Sequence, residues 1–205
     1  QTGLRLVVHG RPPGSRPPYS WVAVNTRRAF RRAADFLLDL GHRRIGLING
    51  LEFMDFAVRR RTGYLDALAE RGLSADPALM SADEMTESRA YRASRPMLDL
   101  PDPPTAFLVA SMISGMGVRR AAEERGLRPG REVSIVIHDD DLSYLKNGDD
   151  VPIFTATRSS VREAGRHAAE MLLALIADPG AAPRSHLLEA DLIIGQSTGP
   201  APRGS

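Results

Sequence analysis

Leu37-Leu38-Asp39-Leu40-Gly41-His42-Arg43-Arg44-Ile45-Gly46-Leu47-Ile48-Asn49-Gly50 is where the period of the sequence changes. Before it, from Thr26 to Leu40, the apolar residues Phe30, Ala33, Ala34, Leu37 and Leu40 recur at helical spacing, which predicts one buried helix face. Asn25 suits the N-cap and Gly41 the stop, with basic residues beyond it to favour the negative helix end. After it, Arg44–Asn49 is an apolar run of strand length, closed by the turn dipeptide Asn49-Gly50. A helix that exits straight into an apolar strand is one unit of an alternating α/β chain.

The alternation extends both ways. Upstream, Leu4–Val8 and Trp21–Val24 read as strands on either side of a Pro- and Gly-rich loop, Gly10–Pro18. Downstream, Asp55–Arg71 is a helix stopped by Gly72, and Thr86–Leu100 is a helix that Pro96 should kink or shorten. Thr105–Ala110 is a strand, Ile113–Arg125 a helix ending at Gly126, and Val133–Ile137 a continuous apolar strand. Ile153–Ala156 is a short strand. The helix Ser160–Ile176 follows, with Val161, Ala164, Ala168, Leu172 and Leu175 on one face. It opens on Ser160-Val161-Arg162-Glu163, a capping box in which hydroxyl and carboxylate each satisfy an orphan backbone donor. Leu187–Ile194 is a last strand, and Ser197–Ser205 reads as a loose tail. Alternating elements with uniformly apolar strands predict an α/β fold, a parallel sheet covered on both faces.

Composition narrows the function. The 205 residues are 42% apolar and 25% charged, enough for one or two domains with a proper core. The absence of cysteine removes a disulfide framework, a thiolate zinc site and a cysteine nucleophile together. No apolar run approaches the ~20 residues of a membrane span, and Gln1–Val8 does not read as a signal peptide, so a cytoplasmic location and no membrane partner are expected. The positive charge is almost all arginine, Lys146 being the only lysine. It is diluted by 25 carboxylates to a net +2, a solvated surface rather than the focused patch of a nucleic-acid binder.

Ligands of doubly wound sheets sit beyond the carboxyl ends of strands. Polar groups stand there at His9, Asn25, Ser111 and the run His138-Asp139-Asp140-Asp141. As a metal site that run is poor, because consecutive residues diverge and no second His/Asp pair supports it; recognition of a polar ligand and a solvated loop remain. Arg59, Arg60 and Arg61 point three ways on a helix, so at most one faces any site. Gly115-Met116-Gly117 imitates a dinucleotide fingerprint, but Arg120 holds the third glycine position and Gly115 falls inside a helix. Ser111 and Ser114 lack a nucleophile elbow, and His42, at a helix exit, is explained by capping. No nucleophile, metal or cofactor motif assembles, so neither an enzyme nor a cofactor is expected.

Five segments together carry a family resemblance. Leu38–Ile48 closely resembles the Leu-Gly-His-(Arg)-Arg-Ile signature of the LacI/GalR family of bacterial transcription regulators. Arg60-Arg61-Thr62-Gly63-Tyr64 resembles the family's Arg-Leu-x-Gly-Tyr helix, and Pro104-Thr105-Ala106-Phe107 starts the strand that normally ends Ala-Asn-Asp. Val133–Asp140 is similar to Val-Ser-Val-Val-Gly-Phe-Asp-Asp, and Phe154-Thr155-Ala156-Thr157-Arg158 to Leu-Thr-Thr-Val-Arg.

The resemblance implies a type I periplasmic-binding-protein-like core, with doubly wound parallel sheets in two subdomains and a sugar or related effector between them. Residues 1–24 and 159–189 would be part of the N-terminal subdomain, 25–158 and 190–198 the C-terminal one, and 199–205 a tail. Family members begin with a helix-turn-helix module and further βα units, expected ahead of Leu4, so operator DNA would be reached only through a module not in this chain. Position by position, Arg60 matches the effector-binding arginine and Asp139 the first aspartate of Phe-Asp-Asp. Ser111 and Met112 stand where the family has asparagine and aspartate, while Asn25 and Met85 fall near other cleft positions. His138, in place of phenylalanine, either adds a donor or packs. The resemblance further implies a homodimer through the helix Met112–Arg125, whose Met112, Met116 and Val118 would offer soft apolar surface. A sugar-binding protein of a transport system shares the fold and is the rival expectation; the Leu-Gly-His-Arg-Arg segment favours the regulator.

Overall fold

A computed structural model describes residues 4–10, 19–142 and 144–202. The chain runs β1 (Val7–His9), β2 (Ser20–Val24), α1 (Thr26–Asp39), β3 (Ile45–Asn49), α2 (Asp55–Glu70), β4 (Met80–Ala82) and α3 (Glu87–Leu98). It continues through β5 (Ala106–Val109), α4 (Met112–Glu123), β6 (Ser134–Asp139), β7 (Thr155–Arg158), α5 (Val161–Ala177), β8 (Ser185–Leu188) and β9 (Asp191–Ile193). Two sheets result. β1-β2-β8 is parallel throughout, and β4-β3-β5-β6-β7-β9 is parallel except for β9, which runs antiparallel to β7.

The larger sheet is covered on both faces, as its uniformly apolar strands predict. Along β5, Ala106 and Leu108 face α1 and α2, where Phe30, Leu37, Tyr64 and Leu68 are buried. Phe107 and Val109 face α3 and α4, packing with Met97, Val118, Ile135 and Ile137. Each helix pair closes on a glycine. A Cβ on Gly63 would lie 2.1 Å from the Arg27 carbonyl oxygen of α1, and one on Gly117 would lie 2.2 Å from that of Glu87 in α3. The paired glycines of α4 are therefore packing surfaces, Gly115 against Ile137 and Gly117 against α3.

Several boundaries move. Strand pairing begins at Val7 rather than Leu4, and Leu4 and Leu6 remain exposed. β7 starts at Thr155, two residues later than expected at Ile153, and runs to Arg158. The turn Pro77–Leu79 and the strand β4 had no sequence signal; β4 exists because β3 accepts it along Leu47–Asn49. α3 ends two residues past Pro96, short of Leu100. The single strand expected over Leu187–Ile194 is two strands in different sheets, with buried Ala190 at the crossing. Only Ala164 of α5 is fully buried, while Leu173 and Ile176 are exposed.

The tail is not loose as far as it is described. Ile135 N donates to Ser197 O (2.8 Å), Gly199 N to Ser134 Oγ (3.1 Å) and Ala201 N to Leu40 O (2.8 Å), which ties residues 197–201 to β6 and the end of α1. Residues 1–3, residues 11–18 of the Pro-rich loop and residues 203–205 of the tail lie outside the described residues.

Candidate functional site

The carboxyl ends of β1, β2 and β6 and the start of α2 surround one cavity of about 550 Å³, a size suited to a small ligand. It lies between the two sheets. β3 positions α2: Asn49, the last residue of the strand, donates from Nδ2 to Ala57 O at 2.8 Å. Phe56 and Arg60 are then one turn apart on the same helix face.

Arg60 dominates the cavity wall. It is only 5% exposed, and its guanidinium carbon lies 5.0 Å and 5.1 Å from the ring centres of Phe56 and Phe30. Nη1 donates to Ala110 O at 3.0 Å and lies 3.7 Å from Met85 Sδ, while Nε has no hydrogen-bond partner among the described residues. Burial pulls the group down to about 10, opposed by the charge of Asp140, so it stays cationic at neutral pH. A buried cation gripped by two rings in the wall of a cavity suits recognition of an oxygen-rich ligand through its fork. Thr26 Oγ1, on the same wall, is likewise without a partner among the described residues.

Opposite stands the end of β6. His138 is buried, with Nδ1 at 3.0 Å from Thr157 Oγ1 and Nε2 at 3.2 Å from Asp140 Oδ1 and 3.3 Å from Ser159 Oγ. Burial, aided by the Arg60 charge, holds the imidazole below the ordinary histidine range, hence neutral. Burial pushes the Asp140 carboxyl up, but the His138 hydrogen bond and the Arg60 charge outweigh it and leave the group below the usual carboxylate range.

Of the residues singled out from sequence, Arg60, His138, Met85, His9, Asp140 and Arg59 line this cavity. Asp139 does not. It is 3% exposed; Oδ2 accepts from Arg158 Nε (3.1 Å) and Oδ1 from Asp141 N (2.9 Å). Successive residues at a strand end point opposite ways, so Asp140 takes the cavity side. Asn25 also turns away: it caps α1 through Arg28 N (3.3 Å) and donates to Glu189 Oε1 (2.9 Å). Ser111 caps α4 through Ser114 N (3.2 Å) and, with Asp139, lines a smaller recess of about 170 Å³, which shares Met85, His138 and Asp140 with the main cavity.

The remaining corrections concern packing. His42 caps α1 through its backbone N, which donates to Leu37 O (3.1 Å), and its buried ring is in addition a clamp, bonded to Thr105 Oγ1 (2.8 Å), Ser134 Oγ (2.9 Å) and Gly199 O (3.1 Å). Met112 and Val118 are buried in the core and unavailable to a partner; Ile113 and Met116 are the exposed apolar side chains of α4. Arg59 pairs with Asp55 and Arg61 with Glu52; Arg60 alone of the three is buried, although Arg59 also borders the cavity. Sequence reasoning missed Phe56 and Thr26, and marked Asp140 only as one of the strand-end run 138–141. Of the two missed, only Phe56 left a signal, its four-residue spacing to Arg60. Among the described residues no helix is long and apolar enough to cross a membrane.

Residues 34–198 match the family profile described as a periplasmic binding protein-like domain. The chain is 44% identical over 199 residues to the HTH-type transcriptional regulator AglR of Rhizobium meliloti (strain 1021), covering 97% of this chain and 56% of that protein. It is 33% identical over 178 residues to the HTH-type transcriptional repressor CytR of Escherichia coli (strain K12), covering 86% and 51%. The chain thus spans about half the length of these curated relatives. Among solved structures, the transcriptional regulator CelR in complex with cellobiose superposes with a TM-score of 0.83 at 31% identity, covering 93% of this chain and 58% of that one.

Proposed function

The chain belongs to the periplasmic binding protein-like family and, within it, to the LacI/GalR group of transcription regulators, and on that premise we propose that it is the effector-binding core of such a regulator. Its effector is a sugar or a related small polyhydroxylated molecule, held in the cavity between the two sheets. Arg60 carries this reading: a buried guanidinium gripped by two aromatic rings borders a cavity whose other polar wall is His138 and Asp140. Such a fork donates to ring and hydroxyl oxygens, a carboxylate accepts from hydroxyls, and Phe56 and Met54 cover the apolar faces of a sugar ring. The complex of CelR with cellobiose supports the ligand class. The regulator names of the 44% and 33% identical relatives favour this reading over a transport sugar-binding protein.

Operator DNA is bound through a helix-turn-helix module outside these residues, the protein works in the cytoplasm, and it performs no catalysis. It dimerises through the exposed edge of α4 at Ile113 and Met116. The direct test is calorimetry of the full-length protein against cellobiose, ribose, maltose, lactose and raffinose. Saturable binding of at least one sugar, with release of operator DNA or a gain in operator affinity, is expected. A protein that binds none of them and whose operator affinity none of them alters would overturn the reading.

A further inference from the structure

The chain passes between the two sheets three times: at 24–26 on leaving β2, at 158–161 on leaving β7, and at 188–191 between β8 and β9. α1 packs on the larger sheet and α5 on the smaller, so the passages join two bodies with the cavity between them. Bodies joined in this way turn about the few residues of their connections. We propose that Asn25, Arg28 and Glu189 are a clasp on this hinge, which ties the first and third passages together and so sets how freely the two bodies turn.

The first and third passages leave the smaller sheet side by side. Val24 stands opposite Leu188 in the pairing of β2 with β8, and Asn25 N adds one more bond, donating to Leu188 O at 2.8 Å. Beyond it the side chains take over. Asn25 Nδ2 donates to Glu189 Oε1 at 2.9 Å, while Asn25 Oδ1 accepts from Arg28 N (3.3 Å) in the first turn of α1. One amide thus holds both the helix of the larger body and the third passage. Arg28 Nη1, 3.5 Å from the same Glu189 oxygen, adds an ion pair from α1. The next residue, Ala190, is buried in the core beneath α1, which roots the third passage in the larger body. The second passage is held separately, by Ser159 N to Asp139 O (3.0 Å) and Val161 N to Asp140 O (3.3 Å). No clasp residue borders the main cavity; Asn25 and Arg28 line a groove along the exposed side of α1. The clasp therefore acts on the angle between the bodies and not on the effector's contacts. Its ion pair is weak, with side chains 71% and 49% exposed, yet a small difference is enough to shift a balance between two arrangements of a hinge.

Pulsed EPR on the full-length protein tests the clasp. Spin labels go on Arg131→Cys in the larger body and Ala182→Cys in the smaller, both exposed positions, with any cysteine outside these 205 residues replaced. Unlabelled protein in excess restricts the reading to distances within one chain. Without effector, Glu189→Ala and Asn25→Asp should each raise the population of a second distance about two- to tenfold, the worth of one hydrogen bond. Asn25→Asp keeps the α1 cap but sets two carboxylates face to face. Glu189→Gln, which keeps an oxygen for the Asn25 amide, should lie between. Combining Asn25→Asp with Glu189→Gln reverses donor and acceptor and should restore the original distribution, a recovery that lost packing would not show. With whichever of cellobiose, ribose, maltose, lactose or raffinose binds, the concentration for half of the operator response should move by the same factor as the distances. Unchanged distances in both Glu189→Ala and Asn25→Asp, no recovery in the double variant, or an unmoved response to a sugar that binds would each overturn the proposal. If none of the sugars binds, it is the sugar reading that fails, and the effector-free distances still decide the clasp.

Discussion

Replacing Arg60 by methionine separates a ligand-binding cation from a structural one, because the two roles predict opposite patterns. In the apo protein the substitution removes the bond from Nη1 to Ala110 O and the contacts with the Phe30 and Phe56 rings. A hydrogen bond to a charged group is worth about 1.5–3 kcal/mol, and each ring contact adds roughly 0.5–2 kcal/mol. Against this, the substitution abolishes a desolvated cation and an unpartnered buried Nε, a burden of about 1–3 kcal/mol for the orphan donor alone. Methionine also keeps much of the stem's packing between the rings. The opposing effects cancel to within about 2 kcal/mol, so the apo midpoint should move by no more than ~8 °C in a domain of this size. Sugar binding has no such compensation. Loss of one charge-assisted bond, at about 1.5–3 kcal/mol, weakens affinity by roughly 10- to 100-fold. Isothermal calorimetry on the full-length protein measures the second effect, and differential scanning calorimetry without sugar measures the first. Unchanged sugar affinity would remove Arg60 from the site. An apo midpoint lowered by ~15 °C or more would show the guanidinium to be a strut of the cavity wall.

Three further outcomes follow from the packing and from the histidines. Gly63→Ala puts a methyl 2.1 Å from the Arg27 carbonyl oxygen and must part α1 from α2; a loss of about 1–3 kcal/mol, the usual cost of overpacking, is expected in urea unfolding, and an unaltered midpoint would refute the contact. His42 and His138 are both held, chiefly by burial, below the ordinary histidine value of about 6.5, so the folded state prefers them neutral while the unfolded chain takes up protons first. The stability they provide is therefore complete above about pH 6.5 and is lost as the pH falls below it; the thermal midpoint should drop between pH 7 and pH 5, and a flat profile would refute this. Met116→Asp, on the exposed edge of α4, should shift sedimentation velocity from dimer to monomer, and an unchanged dimer would place the interface elsewhere.

Periodicity alone made the elements of the larger sheet legible. The three-and-four spacing of Phe30, Ala33, Ala34 and Leu37 marks α1, and the uniform runs at Ile45–Asn49 and Ser134–Ile137 mark strands buried on both faces. These signals are local, since a helix or strand repeats within a few residues and shows its buried side wherever it packs. Arg60 was legible in part: 100° per residue turns the three arginines apart and only Arg60 is buried, yet Arg59 borders the cavity as well. Contacts between distant segments wrote no such period. β4 has too few residues to show alternation, and Leu187–Ile194 reads as one apolar run although its halves bond to different sheets. The 197–201 stretch, Ser-Thr-Gly-Pro-Ala, shows no apolar period, yet it is held by bonds to Ser134, Ile135 and Leu40 that no neighbouring residue announces. The choice between Asp139 and Asp140 was of the same kind. Two adjacent carboxylates are chemically alike in sequence, and their roles part only where β7 brings Arg158 to one and the fold brings His138 and Arg60 to the other.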